Sequence, residues 1–321
     1  MHVRLIVALL CLTAACTSAE VRHHSEEIEA ENVERERLAE RLQARIAQAR
    51  AALPDSMHAS FVVGIDLLDL HTGRRLSLSE DVSLHAASTM KVPVLFELFR
   101  QADAGERSLD DSVLVENRFR SIRDDSEYSL TPADDSDSTL YQRIGEFATY
   151  RELADLMITR SSNLATNILI ERVDARRVRE MLARLNAQGM RVLRGVEDIP
   201  AYRAGMNNTT TAYGFGRVLE AIARCELLTR ASCDEIIDIL ARQEFTGGIP
   251  AGVPPGTRVA NKTGWITAIN HDGAIVFPEG RRPYVLVVLT RGIEDSDAAD
   301  RLIADLSAIV WQEIVEEGGG P

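Results

Sequence analysis

The strand-like segments of this sequence lie near its two ends, and that placement restricts how the chain can fold. FVVGIDLLDL at residues 61–70, followed across the turn HTG by RRLSLS, predicts a β-hairpin. Three further strand patterns lie between residues 256 and 291 and are separated by turn signals. Strands need partners for their backbone groups, so the two ends of the chain are expected to form one antiparallel sheet.

Helical periodicity dominates the rest of the chain. The predicted helices are RLAERLQARIAQARAAL, VPVLFELFRQADAG, YRELADLMITR, LATNILIERV, residues 176–185, TTTAYGFGRVLEAIARC, CDEIIDILARQ and DAADRLIADLSAIVWQEIVEE. The predicted fold class is therefore α/β (α+β), an antiparallel sheet flanked by helices with an inserted all-helical lobe. We expect residues 34–85 and 240–317 to form the α/β lobe and residues 86–239 the helical lobe, with the site in the cleft between them.

Segment 115–149 interrupts this pattern because it is acidic, serine-rich and poor in aliphatic residues. The favoured interpretation is a solvated surface insertion. Two alternatives stay open: the segment forms the rim of a site, or Asp134, Asp135 and Asp137 bind a cation. The sequence lacks the ligand pattern of a calcium loop, which weakens the last alternative.

The first 19 residues have the pattern of an export signal, with one arginine, an apolar run from Leu5 to Leu12 and small residues after it. The favoured processing is that of a lipoprotein, with lipid on Cys16; ordinary cleavage after Ala19 is the alternative. Residues 20–33 then form a solvated tether, and residues 318–321 a disordered tail. We expect a periplasmic or extracytoplasmic protein that touches the membrane only through this anchor.

Acidic residues outnumber basic ones by 49 to 36, giving a net charge of -13. This balance argues against nucleic acid as a partner, because nucleic acid selects basic surfaces. No Cys or His spacing resembles a metal site, so neither a metal nor a cofactor is expected, and we expect a monomer. Cys225 and Cys233 are either a local disulfide or two buried thiols.

Among the 36 basic residues only two are lysines, and the first is Lys91 in AASTMKVPVLFEL. A serine before an apolar helix, such as Ser88, is most often an N-cap. Lysine, however, can lose its proton when buried, whereas arginine cannot. Residues three apart share a helix face, so the sequence predicts Ser88 as a nucleophile and Lys91 as the base that activates it.

The second lysine, Lys262, lies in the strand pattern NKTGW. It is either an exposed strand charge or part of a ligand site. In the second case, Lys262 and Thr263 bind an anionic group and Gly264 lets the ligand approach the backbone. The Trp265 and Ser88 amides would then form an oxyanion hole.

A third motif, Ser161-Ser162-Asn163, lies between two predicted helices. The simpler interpretation is a turn or cap that joins them. The alternative makes Ser161 a proton relay to a leaving nitrogen, and Asn163 a group that binds the substrate amide and orients Lys91.

S-x-x-K, S-x-N and K-T-G in this order resemble the motifs of class A β-lactamases and penicillin-binding proteins. The resemblance runs from about residue 34 to residue 317 and includes the TTT at 209–211. It implies a β-lactamase/transpeptidase-like fold, an acyl-enzyme on Ser88 and a β-lactam substrate, with antibiotic resistance as the consequence. The alternatives are a peptidase or esterase acting on peptidoglycan peptides, and a non-catalytic module that binds a cell-wall ligand.

The sequence departs from this family at two places. The middle residue of S-D-N is Ser162, which removes a carboxylate. The family's E-x-x-L-N is also absent from the predicted loop 191–208, where Glu197 is the only glutamate and Ala201 stands four residues later. Glu197 is therefore either the base for deacylation or a loop carboxylate paired with Arg194.

His271 and Asp272 are adjacent in a strand pattern, so their side chains should point to opposite faces. The sequence therefore predicts a structural role for this pair and no catalytic relay.

Overall fold

The computed structural model describes residues 33–317, and the chain divides into two units at residues 44 and 45. Residues 33–44 of the first unit are helical. Apart from the helix α1 to which they belong, the features below lie in the second unit. The strands are β1 (Val62–Asp69), β2 (Arg75–Leu78), β3 (Leu84–His85), β4 (Ser112–Leu114), β5 (Phe119–Arg120), β6 (Glu127–Tyr128), β7 (Phe147–Thr149), β8 (Thr209–Thr210), β9 (Arg258–Ile266), β10 (Ile269–Phe277) and β11 (Tyr284–Arg291). The helices are α1 (33–51), α2 (Lys91–Asp103), α3 (Tyr150–Thr159), α4 (Asn163–Val173), α5 (Ala175–Arg184), α6 (Ile199–Arg203), α7 (Ala212–Arg224), α8 (Arg230–Leu240) and α9 (Ser296–Trp311). The predicted signal at 1–19 with Cys16, the tether up to residue 32 and the tail 318–321 lie outside the described residues.

The two ends of the chain pair into one sheet, which confirms the sequence prediction. Its strand order is β2-β1-β11-β10-β9, and every neighbouring pair is antiparallel. Strand β11 lies at the centre and is buried from Tyr284 to Thr290, as expected for a strand covered on both faces. Strand β9, which carries Lys262, is an edge strand and so has one side open to a ligand or to another element.

Helix α2 lies at the centre of the helical part of the chain. It is buried continuously from Lys91 to Phe99, which is typical of a helix packed on all sides. Residues of α3, α4, α5, α7 and α8 pack against it. Lys91 is the first residue of α2, so its backbone is held in place by a helix that is buried on all sides.

Segment 115–149 is mostly exposed, as expected for a solvated surface insertion, but a few of its residues are anchored in the protein. The apolar residues Val115, Phe119, Leu130 and Leu140 belong to the hydrophobic core. They anchor the segment, so its polar residues are held in fixed positions at the surface of the helical part.

Loop 191–208 contains the short helix α6, which the prediction of a plain loop missed. Asp198 caps it by accepting a hydrogen bond from the Ala201 N–H, and a proline stands in its first turn.

A disulfide joins Cys225 and Cys233, whose Cα atoms are 5.7 Å apart, which confirms the first alternative for these cysteines. No helix within residues 33–317 is long and apolar enough to cross a membrane.

Candidate active site

Lys91 is completely buried, and its ammonium nitrogen has three oxygen partners. Nζ lies 2.6 Å from the carbonyl oxygen of Ser161, 3.0 Å from Ser161 Oγ and 3.0 Å from Asn163 Oδ1. Burial lowers the pKa of Lys91 to about 7, and the negative charges of Asp135 and Glu197 only partly oppose this effect. A large fraction of Lys91 is therefore neutral near pH 7 and able to accept a proton.

The backbone between α3 and α4 directs Ser161 towards Lys91. Ser161 has a φ of 58°, the left-handed conformation that non-glycine residues seldom adopt. Ser162 is the N-cap of α4 and accepts a hydrogen bond from the Ala165 N–H. The predicted helix-joining turn is thus correct, and the same strained turn presents both oxygens of Ser161 to a buried amine.

Lys262 is also fully buried, so the first of its two alternatives, an exposed strand charge, is wrong. Its Nζ lies 3.2 Å from Ser161 Oγ and 3.0 Å from the Thr263 carbonyl oxygen. Burial and the nearby charge of Lys91 lower the pKa of Lys262 well below its ordinary value. The Ser161 hydroxyl therefore lies between two amines, where it can accept a hydrogen bond from one and donate one to the other.

Ser88 does not cap helix α2, which corrects the simpler sequence prediction. It lies in a 3₁₀ turn, Ala87–Met90, that leads directly into α2, and neither this turn nor α2 has a side-chain cap. The 3₁₀ turn satisfies the first helical amides through the backbone, as in the bond from the Lys91 N–H to the Ser88 carbonyl oxygen. Ser88 Oγ hydrogen-bonds to no residue within 33–317, Lys91 included, and it lines the cleft.

Gly264 holds the edge strand against the backbone of this 3₁₀ turn. A Cβ at position 264 would lie 2.8 Å from the Ser88 nitrogen and 2.9 Å from the Thr89 nitrogen. The structure thus shows a close approach of the chain itself that requires a glycine here. It brings the segment that ends in Trp265 beside the amide of Ser88.

Three predicted binding residues have different surroundings. Thr263 Oγ1 is buried and hydrogen-bonds to no residue in the described part of the chain. Asn163 uses Oδ1 to accept from Lys91 and Nδ2 to donate to the Asp134 carbonyl oxygen at 3.3 Å. Trp265 is 39% exposed, and its ring packs edge-on against Phe245 at 4.7 Å.

Glu197 lies in the wall of the cleft, on a residue with a φ of 58°. Its carboxylate forms no hydrogen bond or salt bridge with any residue that the structure describes. Arg194 instead donates to the carbonyl oxygens of Met206 and Gly195 and to Asn207 Oδ1, and no hydrogen bond or salt bridge joins it to Glu197 as the second alternative would require.

Asn167, which the sequence analysis missed, holds the loop that carries Glu197. It is buried on α4, accepts a hydrogen bond from the Val196 N–H at 2.7 Å and donates to the Val196 carbonyl oxygen at 3.0 Å. The sequence did contain a signal for Asn167, because an asparagine within the apolar helix NLATNILIERV is expected to be buried and a buried side-chain amide needs hydrogen-bond partners.

Known proteins resemble this chain in sequence and in fold. The model of a family described as "Beta-lactamase enzyme family" matches residues 38–314. The chain belongs to the beta-lactamase enzyme family. A beta-lactamase of Bacillus licheniformis is 28% identical over 262 residues, which cover 80% of each chain. The solved structure of PBP-A is 25% identical with a TM-score of 0.70, covering 86% of this chain and 96% of the other. A Xanthomonas campestris beta lactamase has a TM-score of 0.74 at 20% identity, with coverage of 86% and 98%, and shows the shared fold.

Membership of the beta-lactamase family makes the chain a serine hydrolase of the β-lactamase and penicillin-binding-protein superfamily. Its cleft has a volume of about 560 Å³, and both Ser88 and Glu197 line it. The other lining residues are His85, Ala87, Asp134, Ser136, Asn163, Arg194, Val196, Asp198, Ile199, Tyr202, Asn208, Trp265, Ile266 and Thr267. Asp134 and Ser136 come from segment 115–149, so the alternative that this segment forms the rim of a site is correct.

His271 and Asp272 have the structural role predicted for them. The ring of His271 contacts the carbonyl oxygens of Asn270 and His85, at 2.8 and 3.0 Å. Asp272 accepts hydrogen bonds from Asn261 Nδ2 and the Ile249 N–H. Their side chains do not meet, so this beta-lactamase family member has no relay between them.

No group of His, Cys, Asp and Glu within residues 33–317 could hold a metal ion.

Gly264→Ala should lower the rate of Ser88 acylation by about 10- to 100-fold, because an added methyl group must displace the Ser88 amide from its position. The rate would be measured by single-turnover kinetics with a β-lactam. Gly64→Ala, in β1 of the same sheet, is the matched control for crowding, since its Cβ would also meet a backbone atom, the Ser79 carbonyl oxygen at 3.2 Å, while Ser88 is not among its nearest neighbours. Equal rates for Gly264→Ala and the parent protein would contradict this role.

Proposed function

We propose that this protein is an exported active-site serine hydrolase of class A β-lactamase type that opens β-lactam amides through an acyl-enzyme on Ser88. The observation that supports this most is Ser161 Oγ, which lies 3.0 Å from one buried lysine nitrogen and 3.2 Å from another. Such an arrangement can both remove and deliver a proton without solvent. The name of the Bacillus licheniformis relative, a beta-lactamase, agrees with the proposed substrate.

In the proposed acylation, Ser88 Oγ attacks the lactam carbonyl carbon and its proton passes to the neutral amine of Lys91. The Ser88 and Trp265 N–H groups stabilise the oxyanion. The carbonyl carbon–nitrogen bond then breaks. Lys91 passes its proton through Ser161 Oγ to the leaving nitrogen, which leaves an ester on Ser88.

Substrate binding is assigned to the other predicted residues of the site. Lys262 and Thr263 bind the anionic group of the substrate, and Thr263 Oγ1 suits this role because it is buried without a protein partner within the described residues. Asn163 binds the substrate amide with its Nδ2. Gly264 keeps the strand close enough for these contacts.

Glu197 is the proposed base for deacylation. Its carboxylate lies in the cleft wall and hydrogen-bonds to no described residue, so it is free to accept a proton from water. The hydroxide so formed attacks the ester carbonyl carbon. As the acyl–oxygen bond breaks, the proton held by Glu197 is transferred to Ser88 Oγ, which restores both groups and releases the acid product.

A penicillin-binding-protein-like activity on cell-wall peptides, or on another amide or ester, is the second candidate. Ala201, four residues after Glu197, is fully buried and has no polar side chain that could help to hold a water molecule. PBP-A is among the similar structures, and a mutant of PBP-A was solved as an acyl-enzyme complex with penicillin G.

The experiment that tests the proposal follows turnover and intact mass together. The mature protein is incubated with a chromogenic cephalosporin or with a penicillin, and any adduct is mapped by peptide mass. Fast turnover that is absent in Ser88→Ala supports β-lactamase action, and a stable adduct on Ser88 without turnover supports the second candidate. If neither an adduct nor turnover is observed, the proposal is contradicted.

Export and a lipid on Cys16 belong to the same proposal. They rest on the sequence of residues 1–19 alone.

A further inference from the structure

The carboxylate of Asp135 accepts four hydrogen bonds, and two of them come from the first amides of helix α4. Oδ1 accepts from the Asn163 N–H at 2.8 Å, and Oδ2 accepts from the Leu164 N–H at 2.9 Å. The Asp137 N–H at 3.1 Å and the Tyr141 hydroxyl at 3.0 Å complete the set. Both oxygens are thus used twice, which is close to the full capacity of an ionised carboxylate.

These bonds fix the part of α4 that contacts Lys91. Asn163 is the first residue of the helix, and its side-chain oxygen lies 3.0 Å from Lys91 Nζ. A carboxylate at a helix N-terminus is favoured both by the free amides and by the helix dipole. Asp135 stands 28 residues before Asn163 and belongs to segment 115–149, whose apolar residues anchor it in the core.

We propose that Asp135 is a positioning residue of the reaction, which holds Asn163 and the start of α4 against Lys91. This inference rests on the proposed acylation of Ser88. Segment 115–149 then contributes a positioning residue to the reaction, although it lies outside the three sequence motifs. The negative charge of Asp135 also raises the pKa of Lys91, and the carboxylate of Glu197 acts in the same direction. The amine of Lys262 is close enough to Lys91 for the two charges to interact.

Asp135→Asn separates positioning from general support of the fold. An asparagine has one acceptor oxygen, so in either orientation its NH₂ group faces at least one backbone N–H that the carboxylate now satisfies. The substitution also removes a negative charge that raises the pKa of Lys91. The variant should acylate Ser88 about 10-fold more slowly or worse, and the pH at which the rate rises should move downward.

The matched control is Asp124→Asn, in the same segment. Asp124 is exposed and accepts hydrogen bonds only from Ser126 among the described residues, so both rate and pH profile should match the parent protein. Acylation is measured by stopped-flow at saturating chromogenic cephalosporin from pH 5 to 9. Thermal unfolding of both variants is recorded, and the comparison is made at temperatures where both are folded.

A second measurement does not depend on the substrate. Lys91 and Lys262 are the only lysines of the chain, so lysine-selective ¹³C labelling gives two side-chain signals that can be titrated in the resting protein. In Asp135→Asn the Lys91 signal should titrate at a lower pH than in the parent protein, whether or not any β-lactam is a substrate. An unmoved titration together with an unmoved acylation profile would overturn the inference, whereas failure of the parent protein to acylate would count only against the proposed function.

Discussion

Lys91→Arg should slow acylation of Ser88 by roughly 1,000-fold, within the range expected for loss of a general base. Arginine keeps the positive charge and the hydrogen-bond donors, but its guanidinium stays protonated at any accessible pH and cannot accept the Ser88 proton. The expected effect is therefore a loss of chemistry with the charge preserved. The measurement is the single-turnover rate of adduct formation, followed by intact mass.

Lys262→Arg provides the matched control, because it makes the same substitution at the only other lysine. Lys262 is proposed to bind the anionic group of the substrate, so this variant should raise KM more than it lowers the acylation rate. Acylation of Lys91→Arg at the parental rate would show that Lys91 is not the base.

Glu197→Gln should slow deacylation by about 100- to 1,000-fold and leave acylation within a few-fold of the parent protein. Glutamine keeps the size of the side chain but cannot take a proton from water. The acyl-enzyme on Ser88 should therefore accumulate and be visible by intact mass under turnover conditions. Glu279→Gln, an exposed glutamate in the turn between β10 and β11, should behave like the parent protein.

Two outcomes would argue against Glu197 as the base. Unchanged turnover in Glu197→Gln would require another group to activate water. A parent protein that already holds a stable adduct would favour the penicillin-binding-protein-like alternative, and Glu197 would then be a cleft carboxylate without a role in turnover.

Much of the fold follows from local patterns in the sequence. Strands β1, β2 and β9–β11 were predicted because alternating apolar residues and turn signals act over a few residues, and the need for strand partners brings the ends together. The scarcity of lysine pointed to Lys91 and Lys262, since chemistry that arginine cannot perform explains why lysine is kept at these positions. The structure brings both lysines to Ser161 Oγ.

Local patterns failed where contacts between distant residues decide the outcome. An N-cap was the simpler interpretation of Ser88, but a 3₁₀ turn satisfies the helix backbone without its side chain. Asp135 and Asn167 hold their partners across 28 and 29 residues of sequence, and no spacing rule relates such positions. Segment 115–149 is mostly exposed as predicted, but its anchoring in the core was missed because its few apolar residues are diluted by acidic ones.

The pH dependence of the reaction follows from the state of Lys91. Burial lowers the pKa of Lys91 to about 7, so the neutral amine predominates above that pH and the charged form below it. Because the neutral form is the base, acylation should rise as the pH increases through about 7 and should be lost as the pH falls.

The most direct test of this account is a titration of Lys91 in the resting protein by lysine-selective ¹³C NMR. Only two lysine signals are expected, and Lys262→Arg removes one of them, which assigns the other to Lys91. The account predicts a Lys91 pKa near 7, far below the ordinary lysine value of 10.5. A Lys91 signal that titrates near 10.5 would show a permanently charged ammonium and would contradict Lys91 as the base that activates Ser88.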